Sequence, residues 1–186
     1  MKAAGTALAF RSYLRRFARD RDGVSAVEFA IVLPIMLTLY LGGIEVGDGM
    51  AIKFKATMAA RTVTDLASQF VSIDNATMSN ILGAASTVAT PYSASSMVVT
   101  LTELTVNSSG KGVVQWSDSL HGTARTVGAT MTMPTNLQTS GITVLYGEVT
   151  YPYTPSMGYV LTGTISIYQQ MYFYPRLSSS ISRVNS

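Results

Sequence analysis

The chain changes its apolar rhythm twice. Residues 24–44 are apolar almost without interruption, with Glu28 the single charge among them. A run of this kind has no polar face, so as a helix it must sit in apolar surroundings on every side. At about 1.5 Å per residue it reaches ~31 Å, the thickness of a bilayer's hydrocarbon core. The rhythm then turns amphipathic. Ile44, Ala51, Phe54, Met58, Leu66 and Phe70 recur at roughly helical spacing, with Lys53, Lys55, Arg61 and Asp65 between them, which predicts one helix continuing to residue 70. Pro34 removes a backbone donor within the apolar run, and Gly42, Gly43, Gly47 and Gly49 lower helix propensity at its exit. Pro34, Gly43 and Gly47 are therefore candidates for a helix joint. A second helix is predicted over 74–88, capped by Asp74 or Ser72, striped by Met78, Ile81, Leu82, Ala85 and Val88, and stopped by Pro91.

Past Pro91 the period shortens to two and threonine, serine, valine and tyrosine dominate. Residues 97–106 alternate through Met97, Val99 and Leu101 and then slip phase to Leu104 and Val106, which predicts a strand with a bulge. A turn at 107–112 leads to a returning strand at 113–117, and further strands are predicted at 126–133, 142–151 and 164–174. The last divides into a face with Ile165, Ile167, Met171 and Phe173 and a face with Tyr168, Tyr172 and Tyr174. The expected fold is α+β: a long N-terminal transmembrane and amphipathic helix, a short second helix, and a small, mainly antiparallel sheet domain of pilin-like kind. Along the chain this gives a basic leader at 1–23, the membrane helix at 24–44, a stalk and second helix at 45–90, a β-rich domain at 91–177 and a polar tail at 178–186.

Charge orients this arrangement. The pI of about 9.2 comes from the leader, where Lys2, Arg11, Arg15, Arg16, Arg19 and Arg21 face only Asp20 and Asp22. The rest of the chain carries slightly more acid than base, so a nucleic-acid partner has no electrostatic basis there. By the positive-inside rule the leader is cytoplasmic and the sheet domain lies on the far side of the membrane. Zero cysteines rule out a thiolate metal site, and no residue pattern argues for a cofactor.

The stretch from Asp22 to Phe29 joins the basic arm to the apolar helix. If a peptidase cuts after Gly23, Val24 becomes a new amino terminus and Glu28 its fifth residue, followed by the aromatic Phe29. A carboxylate near the centre of a bilayer costs ~2.5–3.5 kcal/mol on insertion scales, so its presence asks for a partner. Glu28 lies ~6 Å along the helix from Val24, where its own amine, a neighbour's amine or the unpaired helix amides can meet it. Basic leader, Gly23, Glu28 and Phe29 together resemble a type IV prepilin cleavage motif.

The chain more widely resembles the TadE-like (TadE/TadG-type) pseudopilin family of tight-adherence (Tad/Flp) pilus systems. The residues that carry the likeness are 23–33 (GVSAVEFAIVL), 61–66 (RTVTDL), 115–118 (QWSD), 147–153 (GEVTYPY) and 172–177 (YFYPRL). The resemblance implies a minor pilin in the inner membrane, cut by a prepilin peptidase between Gly23 and Val24. It also implies that the chain works with the major Flp pilin, other pseudopilins, a Tad inner-membrane platform and an ATPase. Major pilins of such systems are very short, so the outer domain here argues against the bulk fibre subunit. Two alternatives stand beside this reading: an uncleaved, membrane-anchored structural component of the Tad machinery, and an adhesive subunit at the pilus tip.

Two further groups need weighing. Trp116, Tyr151 and Tyr153 are candidates for contact between subunits, with core packing as the competing use. His121 is the only histidine, and its neighbours Ser117, Asp118 and Ser119 are too close in sequence to converge as a triad, so no enzymatic role is expected. Glu45 and Asp48 share a helix face and mark the exit into water.

Overall fold

The computed structural model describes residues 21–155, Gly158 and residues 163–184; the leader expected at 1–23 lies outside them up to residue 20. Helix α1 (Arg21–Ser68) is unbroken through both the apolar run and the amphipathic one. At Pro34 the ladder loses one donor, and the Thr38 hydroxyl donates to the Pro34 carbonyl at 2.8 Å. Beyond residue 44 the buried positions are Glu45, Ile52, Ala56, Ala59, Ala60, Val63, Thr64, Ala67 and Ser68. From Ile52 on, steps of three and four residues put one stripe of small side chains against the sheet. The helix closes where the Arg176 amide donates to the Ser68 carbonyl at 2.9 Å.

Strand β1 (Ser72–Ile73) leads to helix α2 (Asn75–Ala89). Asp74 caps α2 as the sequence predicts, accepting from the Thr77 amide at 2.7 Å, and this bond holds its carboxyl below the usual range. Met78, Ile81, Leu82, Ala85 and Ala89 form its buried stripe.

Five strands follow: β2 (Val98–Val106), β3 (Lys111–Leu120), β4 (Thr130–Thr132), β5 (Thr143–Tyr153) and β6 (Ile165–Phe173). They form one antiparallel sheet in the order β4-β3-β2-β5-β6. Helices α1 and α2 pack on one face, over Val99, Leu101, Leu145 and Val149. Half of the other face is covered by the segment carrying Met133 and Leu137, over Leu104, Val106, Val144 and Tyr146. The architecture is thus the expected α+β, with the sheet curled between two small cores.

The phase slip in β2 has a different cause from the one predicted. Pairing between β2 and β5 is regular from Val98 to Thr105, so β2 itself carries no bulge. The extra residue is Gln115 on β3, between Trp116 opposite Glu103 and Val114 opposite Leu104. The apolar residues of β2 change phase because its first half faces the helices and its second half faces the Met133 and Leu137 segment. The strand predicted at 126–133 shrinks to β4, since Gly128 turns at φ 81° and returns its amide to the Val114 carbonyl.

The stretch read as a polar tail also enters the fold. Strand β7 (Ser182–Arg183) pairs in parallel with β1, and Ile181 is buried to 1% exposure. Ile181 is held at both ends: its amide donates to Glu103 Oε1 at 2.6 Å, and its carbonyl accepts from Trp116 Nε1 at 2.8 Å. Burial raises the Glu103 carboxyl above its ordinary value, against the lowering effect of those donors.

Candidate functional site

The first turn of α1 contains the bond between Gly23 and Val24. Glu28 and Phe29 follow on an exposed surface, Phe29 at 61%. From Val24 to Tyr40 the large apolar side chains stand free of the protein's own body, and an 18-residue window reaches a mean hydropathy of 2.1. A helix apolar all round in water would be unfavourable; its length and composition suit a membrane span. Gly43 and Gly47 have open space where a Cβ would stand, and the helix continues through them unbroken.

The junction between this shaft and the folded body is more tightly built than its sequence implies. Glu45, read as marking the exit into water, is only 2% exposed. The Tyr153 hydroxyl donates to the Glu45 backbone carbonyl at 3.0 Å, and the Tyr153 ring lies 3.4 Å from where a Cβ on Gly49 would stand. Gly49 therefore admits the ring. Desolvation, with Asp48 and Glu45 adding to it, raises the Tyr153 phenol.

Of the three aromatics weighed as subunit contacts, Tyr153 is spent on this joint. Trp116 is 7% exposed and fastens Ile181, while Tyr151 is half-buried against the helix-side core. The chain's own packing takes up most of their surface. The polar residues near His121 are likewise engaged separately: Ser117 with Thr102 at 2.8 Å, Ser119 with Thr100 at 2.9 Å, and Asp118 with Arg183 at 2.9 Å. His121 sits at φ 58° with Nδ1 3.1 Å from the Met97 carbonyl. These groups brace four different contacts and form no relay.

A polar cluster on the outer sheet face escaped the sequence reading. Glu148 Oε2 accepts from Arg125 at 2.5 Å, and Glu148 Oε1 accepts from the Tyr168 hydroxyl at 2.7 Å. Tyr146 and Tyr168 hydroxyls meet at 2.6 Å and Gln170 Oε1 lies 2.7 Å from the Tyr146 hydroxyl, so with the Tyr168 proton on Glu148 the single Tyr146 proton serves Tyr168 and Gln170 between them; Arg125 lies 5.5 Å from the Tyr146 ring centre. Burial first, then the Tyr146 bond to Tyr168, raises the Tyr146 phenol; burial leads the rise of Tyr168 to about 12. With both oxygens of Glu148 engaged, the cluster acts as a clamp across β5 and β6. Only the cross-strand pairs Tyr146–Tyr172 and Glu148–Gln170 could have signalled it, and they require the register. Among the described residues no group of three or more His, Asp or Glu is placed to hold a metal ion.

An exposed apolar helix, long enough to serve as a membrane anchor, carrying a small antiparallel sheet domain makes this an α+β protein. The family model described as TadE-like protein matches residues 23–65. Over that stretch the chain is similar to that family, and the match stops before α2 and the sheet. No curated protein and no solved structure matches the chain.

Proposed function

We propose that this chain is a minor pilin of a Tad/Flp pilus, anchored in the inner membrane by residues 24–44 with its N-terminus cytoplasmic and its sheet domain periplasmic. The observation that carries the reading is a coincidence: the TadE-like match starts at Gly23, where the apolar helix with its lone Glu28 begins. Prepilin peptidase cuts between Gly23 and Val24. The freed Val24 amine and Glu28 then stand about one helical turn apart, and the carboxylate pairs with that amine or with the amine of an adjacent subunit. In apolar surroundings such a pair fixes the register of packed helices, while the exposed apolar shaft supplies the packing surface. Its partners are the peptidase, the major Flp pilin, other pseudopilins and the inner-membrane platform.

The second reading, an uncleaved structural component of the same machinery, draws on the continuity of α1 from Arg21 through Gly23. N-terminal sequencing of the membrane and sheared-fibre fractions, with and without active peptidase, separates the two. The proposal expects chains beginning at Val24 in the fibre fraction. Full-length chains confined to the membrane of normally piliated cells would overturn it in favour of the second reading.

A further inference from the structure

The junction of shaft and body holds an apolar cleft of about 240 Å³ between α1 and the β5–β6 ribbon. Val46, Met50, Tyr153, Ile165 and Ile167 form its walls, and Lys53 closes one end. Val46, Met50 and Ile165 remain 49%, 68% and 39% exposed, although each lies beside a folded core that could have covered it. Glu45, the carboxylate at the cleft, is buried, and Tyr153 is hydrogen-bonded to its backbone.

We propose that this cleft is a lipid-contact surface, by which the body lies against the membrane with the cleft filled by the headgroup and upper acyl region of the adjacent leaflet. The inference rests on the membrane reading of residues 24–44 and deepens it. Distance carries the first step. Val46 and Met50 lie two and six residues past Ile44, hence ~3 and ~9 Å farther along the helix, within and at the outer edge of the headgroup layer of about 5–8 Å that flanks a ~30 Å hydrocarbon core. Continuity carries the second: Val32, Ile35, Leu39, Val46 and Met50, all large, apolar and exposed, fall on one side of the helix, so the apolar surface of the shaft runs along that side into the cleft. Charge carries the third. Lys53, ~13 Å past Ile44, stands where an ammonium reaches anionic phosphates while its stem covers apolar surface. A tyrosine with its ring in the cleft and its hydroxyl on a backbone carbonyl also fits the interfacial zone. A body held this way has a fixed tilt relative to its anchor.

The chain has no cysteine, so single-cysteine variants can be labelled with an environment-sensitive NBD probe. Full-length Met50→Cys, Ile165→Cys, Leu39→Cys and Val127→Cys would be reconstituted in vesicles containing phosphatidylglycerol, with and without acyl chains brominated near the carbonyl end. Bromine should quench the probe at 39, 50 and 165 and leave 127, an exposed site on the far side of the sheet, unaffected. Adding Lys53→Glu should reduce quenching at 165 in anionic vesicles. Quenching at 39 without quenching at 50 and 165 would overturn this inference alone; absence of quenching at 39 would overturn the membrane reading beneath it. Emission at 165 that changes with protein-to-lipid ratio but not with bromine would assign the cleft to a second copy and likewise refute the proposal.

Discussion

Helix α1 approaches the sheet closely at Gly147 on β5, and replacing this glycine with alanine tests the packing that holds the helix to the body. A Cβ at Gly147 would overlap Thr64 Oγ1 and lie 3.2 Å from both Thr64 Cβ and the Ala60 carbonyl oxygen. Neither neighbour yields cheaply. Thr64 is fully buried with its hydroxyl bonded to Ala60 O, and Ala60 is part of a helix backbone. Forcing a methyl into a packed core costs about 1–3 kcal/mol, and rotating Thr64 away sacrifices a buried hydrogen bond worth about 1 kcal/mol. Gly147→Ala should therefore destabilise the body by roughly 2–4 kcal/mol. Thermal unfolding of the full chain in nanodiscs, followed through the single tryptophan, reads this directly, because Trp116 sits under the C-terminal strap. The companion variant Thr64→Ala removes the overlapping oxygen, so in the double variant the alanine at 147 should cost about 1–2 kcal/mol less than it does alone. Strict additivity of the two changes would show that helix and sheet do not meet at this point, and the argument would fail.

Three further outcomes follow from the same contacts. Glu103, with a folded pKa raised above its unfolded value of about 4.5 by burial, binds its proton more readily in the folded state; its contribution is fully present below pH 4.5 and is lost as pH rises through the folded pKa. Glu103→Gln keeps an acceptor for the Ile181 amide, so the stability of Gln relative to Glu should grow across that window in urea titrations at stepped pH, and a pH-independent difference would contradict the assignment. Arg183→Lys forfeits the two-pronged bond to Asp118 and the contact with Asn75, so amide exchange at residues 181–184 should accelerate while that of β5 stays unchanged. Glu28→Leu should preserve or improve membrane insertion yet lower the number of pili per cell counted by electron microscopy; normal piliation would remove the role assigned to this carboxylate.

What the sequence reveals of this fold divides by the distance over which each residue finds its partner. The long helix, α2 with its Asp74 cap, and strands β2, β5 and β6 are legible because neighbours three, four or two residues away set their periods. The C-terminal strap is not, because three serines before Ile181 read as solvent-exposed while its anchors, Trp116 and Glu103, lie 65 and 78 residues away. The burial of Glu45 is hidden for the same reason, since Tyr153 reaches it across 108 residues. The phase of β2 misleads differently: a strand covered on both faces by different elements loses the alternation that periodicity relies on. Of the candidate site, the chemistry of residues 23–29 is readable from charge and position, whereas the Arg125–Glu148 clamp needs the register of β5 and β6.

One helix thus satisfies two different surroundings with two different codes, and the change between them locates the functional boundary. Up to residue 40 the large side chains point outward on all sides and stay exposed. From Ile52 onward the inward stripe is mainly alanine, which lets the backbone approach the sheet until Gly147 alone fits beneath Thr64. Large residues outside favour contact with lipid or with another helix, while small residues inside bind the body rigidly to the shaft. Force or register received by the shaft is therefore passed to the sheet domain through a close-packed joint, with Tyr153 seated over Gly49 at its N-terminal end. A loose linker at that place would let the body rotate freely, and contacts between neighbouring bodies could not then follow the alignment of the helices that we propose for Glu28.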